Sequence, residues 1–140
     1  MLNEVTSYHF PKAEKLCSKR IIEAIYEKGD KLKQYPFMLH YLEVDAATNM
    51  AFPVQIATAV PKRRIKLAVK RNRIKRQLRE AYRLNKQQLI AEVLRQEKKM
   101  ALFLVYIGKE KEPYDFIEKK LKLLLKTLTE QINQKTKDEN

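Results

Sequence analysis

The sequence predicts an α/β (α+β) sandwich, in which helices pack on one sheet of about four strands. Apolar residues recur at helical spacing near both ends of the chain, and short runs rich in aliphatic and aromatic residues lie between them. A long basic segment with helical periodicity separates those runs. The predicted order is α-β-β(β)-α-β-α in a single domain over residues 1–140. We expect an ordered core over residues 10–132 and flexible segments over residues 1–15 and 133–140.

The first helix is predicted over Lys19–Lys28. Ser18 is a suitable N-cap, and Ile22 and Ile25 follow at helical spacing. Gly29 stands where a C′ residue belongs, which predicts the end of the helix there.

Two strands are predicted next. The run Phe37–Val44 is rich in aromatic and aliphatic residues, and Val54–Val60 follows after a turn over residues 45–49. Because the two runs are consecutive and separated by a short turn, we expect them to form an antiparallel hairpin.

The second half of the chain is predicted to hold two helices and one strand. A helix runs from about Leu67 through Arg83 and on towards Leu94. The apolar run Met100–Gly108 reads as a buried strand, and Tyr114–Ile132 places leucines on one face of a last helix.

Positive charge is concentrated in the segment Pro61–Arg83. It contains eleven of the 30 Lys and Arg residues and a single acid, Glu80, so it carries +10 of the net charge of +13. Seven of the nine Arg residues lie in it, whereas the rest of the chain is almost balanced. An excess this local indicates a polyanionic partner, and the high Arg content favours phosphate groups.

Helical periodicity sorts this segment into two faces. The apolar face, expected to dock on the sheet, contains Leu67, Ile74, Leu78 and Ala81. The opposite face places four long polar side chains in a line, which are Asn72, Arg76, Arg79 and Arg83. Arg73 flanks this line, while Lys70 and Arg71 lie nearer the packed edge.

An ordinary solvated face is the alternative to a binding face. Such faces usually mix charges of both signs at i,i+4 spacing, whereas Glu80 alone offsets the bases here. The repulsion that results favours nucleic-acid binding. RNA is the expected partner, because no sustained leucine heptad follows the helix as it would in a zipper-type DNA-binding dimer.

The run from Ala68 to Arg83 closely resembles the signature of the bacterial ribonuclease P protein. An Arg71-Asn72-Arg73 core is followed by Ile74-Lys75-Arg76 and by Arg79-Glu80. The resemblance covers about Phe10–Ile132. One departure lies just upstream, where Lys66-Leu67 replaces the Gly-Asn of many members.

The resemblance implies a left-handed β-α-β crossover, against the general preference for right-handed connections. It also implies that the basic helix faces the catalytic RNA subunit. The residues expected to bind that RNA are Lys70, Arg71, Asn72, Arg73, Lys75, Arg76, Arg79 and Arg83. A separate cleft, between the sheet and the first helix, is expected to hold the 5′ leader of precursor tRNA.

Single-stranded RNA binds to flat side chains that stack and to cations that hold phosphates. The residues predicted to line the leader cleft are Ile22, Tyr26, Phe37, His40, Lys62, Arg63 and Arg64. His40 is preferred to Tyr41 because successive strand residues face opposite sides. Packing in the core is the alternative for Tyr26, Phe37 and Tyr41.

We expect no catalytic residues and no metal ligands in the protein. The four Asp residues are scattered, and His9 and His40 lie on different predicted elements. The resemblance implies that the RNA subunit holds the Mg²⁺ ions and removes the 5′ extension of precursor tRNA. The protein would then be an accessory subunit of an endoribonuclease.

The single cysteine, the polar N-terminus and the shortness of the longest apolar run favour a cytoplasmic protein with no membrane partner. Two other functions stay open from the residues. One is a structural RNA-binding protein of the ribosome or of RNP assembly, and the other is a DNA-binding regulator, although no DNA partner is expected.

Overall fold

Four strands form one open sheet. The structure is a computed structural model that describes residues 12–44 and 52–139, apart from the side chains of residues 13 and 135–139. The strands are β1 (Asp30–Gln34), β2 (Phe37–Val44), β3 (Val54–Ala59) and β4 (Lys99–Tyr106). Their order is β1-β2-β4-β3. The β1–β2 and β2–β4 pairs are antiparallel, and β3–β4 is parallel.

Helices cover both faces of this sheet, which confirms the predicted α/β fold. They are α1 (Lys19–Lys28), α2 (Ala68–Asn85), α3 (Gln87–Arg95) and α4 (Tyr114–Glu139), and a short 3₁₀ turn spans Lys12–Glu14. The long helix α4 packs against α2, α3 and β1, whereas α1 packs against β2 and β4 from the other side.

The alternation of side chains along the strands separates two clusters. On the inner face, the strands supply large residues to the main core, including Phe37, Leu39, Leu102, Leu104 and Tyr106. On the outer face, a smaller cluster forms beneath α1 around Leu16, Ile25 and Ala101. The outer face is therefore only partly covered.

Both ends of α1 lie where the sequence predicts. The Ser18 hydroxyl accepts a hydrogen bond from the backbone N–H of Ile21 at 3.2 Å. Gly29 follows the helix with φ −74° and ψ 162°, so its backbone is extended rather than left-handed. Glycine is needed because a Cβ would lie 2.4 Å from the carbonyl oxygen of Ile25 and 2.8 Å from that of Tyr41.

The predicted antiparallel hairpin between Phe37–Val44 and Val54–Val60, which correspond to β2 and β3, is wrong. β2 pairs with β1 and with β4, so β4 lies between β2 and β3. The sequence of β1, Asp-Lys-Leu-Lys-Gln, is mostly polar because this is an edge strand, and it was not predicted. The chain runs from β3 through α2 and α3 into the parallel neighbour β4. The hand of this crossover stays a prediction from the resemblance.

The segment before α1 contains contacts that were not predicted, and α4 extends beyond the predicted end of the last helix. Glu14 and Leu16 are buried, and Lys15 forms an isolated parallel bridge with Ile56 of β3. Helix α4 continues to Glu139 rather than ending at Ile132. Residues 1–11 and 140 lie outside the described part of the chain, as does the turn predicted over residues 45–49.

The predicted basic helix is interrupted at Lys86, which divides it into α2 and α3. The Lys86 ammonium lies 2.7 Å from Oε2 of Glu14, and both side chains are fully buried. Burial, with the negative charge of Glu14 as a smaller cause, raises the pKa of the neighbouring Tyr82 hydroxyl. A buried charged group thus ties the 3₁₀ turn to the end of the basic helix.

Candidate RNA interface

One face of α2 is anchored and the other is open. Ile74, Leu78, Ala81 and Tyr82 are buried, and the helix docks chiefly on α4 and β3. Leu67 was expected on this packed face, but it precedes the first turn and is 61% exposed. The exposed residues of the predicted RNA-binding set are Lys70, Asn72, Arg73, Arg76 and Arg79.

Three of these residues are arginines whose guanidinium groups have no partner in the part of the chain that the structure describes. Arg73, Arg76 and Arg79 make no hydrogen bond or ion pair with residues 12–44 or 52–139. Their charges are displayed on a helix whose opposite side is fixed, so little order is lost when they bind a ligand.

The remaining members of the set are more constrained. Arg83 is ion-paired with Glu80 at 2.6 Å, and this interaction lowers the pKa of the Glu80 carboxyl. Nη1 of Arg71 donates to the carbonyl oxygens of Ile65 and Lys66, at 2.9 and 2.7 Å. Lys75 is partly buried. Arg71 thus shapes the entry to α2 while Arg76 and Arg79 face outward.

A half-open aromatic surface lies on the outer face of the sheet beside α1. The Tyr26 ring is 60% exposed and its centroid lies 5.3 Å from that of His40 and 5.6 Å from that of Phe103. The His40 and Phe103 rings are 6.4 Å apart. We call these three residues the aromatic cleft. Flat, partly exposed rings of this kind suit unpaired bases.

Phe103 was missed in the sequence. The alternation of buried and half-buried residues along β4 indicates that Phe103 faces away from Leu102 and Leu104. Its position beside His40 follows from the pairing of β2 with β4, which the predicted hairpin excluded.

Phe37 does not belong to the cleft. Its side chain is fully buried on the inner face, where it contacts the Tyr106 ring. The choice of His40 over Tyr41 agrees with the structure. Tyr41 points to the face of the sheet that α4 covers, where its hydroxyl donates to Oε1 of Gln131 at 2.9 Å. Ile22 is half-buried and packs on the outer cluster next to the cleft.

Basic residues extend beyond β3. Lys62 and Arg63 are exposed, whereas Arg64 is half-buried and donates from Nη1 to the carbonyl oxygen of Ile107 at 2.8 Å. Lys62 and Arg63 are therefore the accessible cations of the three predicted at this end of the sheet.

The basic helix and the outer face meet at the edge of β3. Arg79 lines a shallow hollow together with Lys15, Ala57 and Thr58. Ala57 is the register partner of Phe103, so the hollow joins the α2 row to the sheet surface that bears the aromatic cleft.

His40 is biased towards its neutral form. Burial lowers its pKa below 6.5, and the positive charge of Lys31 on the adjacent strand lowers it further. At neutral pH the imidazole therefore contributes a ring surface and a hydrogen-bonding group rather than a positive charge.

The described residues contain neither a group of metal ligands nor a membrane-spanning helix. Within residues 12–44 and 52–139, His, Cys, Asp and Glu side chains are not gathered in groups of three that could hold a metal ion. Among the described helices, none has the length and apolarity needed to cross a membrane.

Comparison with known proteins decides the family. The model of the ribonuclease P protein family, "Ribonuclease P", matches residues 10–129. The chain belongs to the ribonuclease P protein family. The ribonuclease P protein component of Porphyromonas gingivalis is 33% identical over 110 residues, which cover 79% of this chain and 77% of the relative. That of Chlorobium phaeobacteroides is 39% identical over 79 residues, covering 56% and 54%.

Solved structures of ribonuclease P proteins have the same fold. The Staphylococcus aureus protein gives a TM-score of 0.66 at 19% identity, covering 84% of this chain and 96% of the other. The Thermotoga maritima protein gives 0.63 at 23% identity, covering 81% and 96%.

Membership of the ribonuclease P family gives the chain a role in processing the 5′ ends of tRNA, within a ribonuclease complex that includes an RNA subunit. The relatives named above do not support a ribosomal or assembly role.

Proposed function

We propose that this protein binds the catalytic RNA of ribonuclease P through α2 and the 5′ leader of precursor tRNA through the aromatic cleft. The arrangement of the two surfaces supports this proposal. Arg79, whose guanidinium group has no partner among the described residues, lines a hollow at β3 together with Ala57. Ala57 is the register partner of Phe103, one of the half-exposed rings of the aromatic cleft. The arginines of α2 suit the phosphates of a folded RNA, and the rings of the aromatic cleft suit stacking with the unpaired bases of the leader.

Cleavage is assigned to the RNA subunit, which would hold the Mg²⁺ ions. The described part of the protein offers no grouped metal ligands, so its expected contribution is electrostatic. The arginines of α2 lower the repulsion between RNA phosphates, and the cleft holds the leader. The protein would thereby reduce the Mg²⁺ concentration required for removal of the 5′ extension. The reaction would take place in the cytoplasm.

A cleavage assay tests the proposal. A 5′-extended precursor tRNA is incubated at low Mg²⁺ with a ribonuclease P RNA, such as that of Porphyromonas gingivalis, with and without the protein. Strong stimulation is expected, with a product that ends at the mature 5′ terminus. If the folded protein binds this RNA and cleavage is not stimulated, the accessory-subunit role is contradicted.

A further inference from the structure

A basic hollow lies where the segment after β3 meets the segment between β4 and α4. Its volume is about 440 Å³. The charged residues of its lining are Arg64, Lys66, Lys70, Lys109, Glu110 and Lys111. We call it the loop pocket. Five bases and one acid converge there, although Lys109 and Lys111 lie outside the basic segment recognised in the sequence.

Side-chain bonds to the backbone fix the walls of the loop pocket. Arg71 holds the carbonyl groups of Ile65 and Lys66, and Arg64 joins the two segments by donating to the carbonyl oxygen of Ile107 at 2.8 Å. The Tyr106 hydroxyl donates to the carbonyl oxygen of Glu110 at 2.5 Å. The ammonium groups of the pocket lysines take no part in these bonds, so they are available to a ligand in a preformed site.

Gly108 sets the path of the second wall. A Cβ at this position would lie 2.9 Å from atoms of the Tyr106 ring. The segment therefore passes directly over that ring, which brings the following residues, Lys109 to Lys111, towards Arg64.

One donor of Arg64 has no acceptor among the described residues. Its Nε is buried without a hydrogen-bond partner there, while Nη1 is bonded to the carbonyl oxygen of Ile107. An anionic oxygen in the loop pocket would relieve the repulsion among the five bases and accept charge-assisted hydrogen bonds from its lysines.

The rim of the loop pocket favours a nucleotide over a small inorganic ion. Leu67 lines the pocket and is 61% exposed, and the nearby Val69 is 70% exposed. Large apolar side chains beside cations suit a ligand that carries a ribose or a base next to its phosphate.

We propose that the loop pocket binds a phosphodiester group of RNA. This contact is separate from the aromatic cleft and from Arg73, Arg76 and Arg79 of α2, and it shares only Lys70 with the predicted RNA-binding set of that helix. The chemistry of the pocket specifies a phosphate with an attached sugar or base. Either the RNA subunit or the leader of precursor tRNA can supply it, and this assignment rests on the proposed function.

The first test measures binding of the full chain to a labelled single-stranded oligouridylate of twelve nucleotides. The variant K109A/K111A removes two pocket lysines, and K122A/K126A removes two exposed lysines of α4 as a control of equal charge. Each lost phosphate contact should make the slope of log K against log salt shallower by about 0.7, or about 1.4 for two contacts. Equal slopes for all three proteins would overturn the proposal.

A variant that is expected to tighten binding complements this test. E110Q removes the single acid of the pocket lining and should tighten oligouridylate binding, and binding that is unchanged or weaker counts against the site. Thermal unfolding of each variant checks that the fold is retained. This arm requires no cleavage, so it remains interpretable if the protein fails to stimulate ribonuclease P.

The second test identifies the source of the phosphate. K109A/K111A and K122A/K126A are compared for affinity to the RNA subunit, and then, as holoenzymes, for affinity to precursor tRNA with and without a leader. Several-fold weaker binding of the RNA subunit assigns the phosphate to that RNA, and weaker binding only when the leader is present assigns it to the leader. Unchanged affinity for both RNAs would exclude the pocket from ribonuclease P.

Discussion

Tyr26 is the most exposed ring of the aromatic cleft, and it lies over His40 and Phe103. Tyr26→Ala removes a stacking surface, which contributes about 1–3 kcal/mol per base in single-strand binding proteins. We therefore expect weaker binding of precursor tRNA to the holoenzyme and unchanged binding of mature tRNA, both measured by titration. Tyr26→Phe keeps the ring and serves as the control. An equal loss on both tRNAs would remove Tyr26 from the leader site.

His40 should make stability depend on pH. Its pKa is lowered in the folded state, so the unfolded chain binds more protons once the pH falls to about the unperturbed value of 6.5. This contribution to the free energy of unfolding is present at higher pH and decreases as the pH falls through that value towards the lower folded pKa. Urea unfolding at pH 7.5 and 5.5 should show a smaller decrease for His40→Gln than for the unchanged protein. Identical decreases would contradict this role.

Helix α2 combines an anchored face with three arginines that bond to no other described residue, and two of them, Arg76 and Arg79, belong to the predicted line. R76A/R79A should weaken binding to the RNA subunit and make the salt slope shallower by up to about 1.8, at about 0.9 per contact with a duplex. The melting temperature should change little because both side chains are exposed.

The matched control for this prediction is K122A/K126A, which removes the same charge from α4. If the two double variants lose the same affinity, net charge rather than the α2 row accounts for binding, and the proposed interface is wrong.

The elements themselves were largely evident from the sequence because each depends on local signals. Ser18 caps α1, the apolar residues of α2 and α4 recur at helical spacing, and the run Met100–Gly108 covers all of β4 except Lys99. The strand β1 was missed because Leu32 is the one apolar residue among its five.

The arrangement of the elements was harder to predict from the sequence, because strand pairing is decided by contacts between residues that are distant in sequence. The insertion of β4 between β2 and β3 cannot be read from either strand alone. The same limit explains the candidate site. Tyr26 and His40 were identified from their residue types, whereas the position of Phe103 required the register. The accessible position given to Phe37 was wrong because strand alternation places residue 37 on the face of Tyr41, opposite His40, and the prediction did not apply that rule to it.

At the scale of the whole molecule, the buried pair of Glu14 and Lys86 connects residues 72 positions apart. Removing one partner of a buried ion pair leaves a charge in the interior and typically costs about 3–5 kcal/mol. Glu14→Ala should lower the free energy of unfolding by about that amount, measured by urea denaturation.

Two controls accompany this prediction. Glu43→Ala breaks the more exposed pair with Lys98, whose atoms are 3.3 Å apart, and should cost less than about 1 kcal/mol. Replacing both buried partners, as E14L/K86M, should recover much of the stability because no charge is left unpaired. If Glu14→Ala costs no more than Glu43→Ala, the buried pair does not hold the two segments together.

The position of β4 between two earlier strands has a consequence for synthesis of the protein. Ribosomes add about 5–20 residues each second, so β2, β3 and α2 emerge before the strand that joins them and before α4, on which α2 docks. The nascent chain therefore passes through a stage in which the arginines of α2 have been synthesised while the edges of β2 and β3 that β4 will occupy lack a partner. The sheet is completed, and α2 gains its packing partner α4, only after those arginines have left the ribosome.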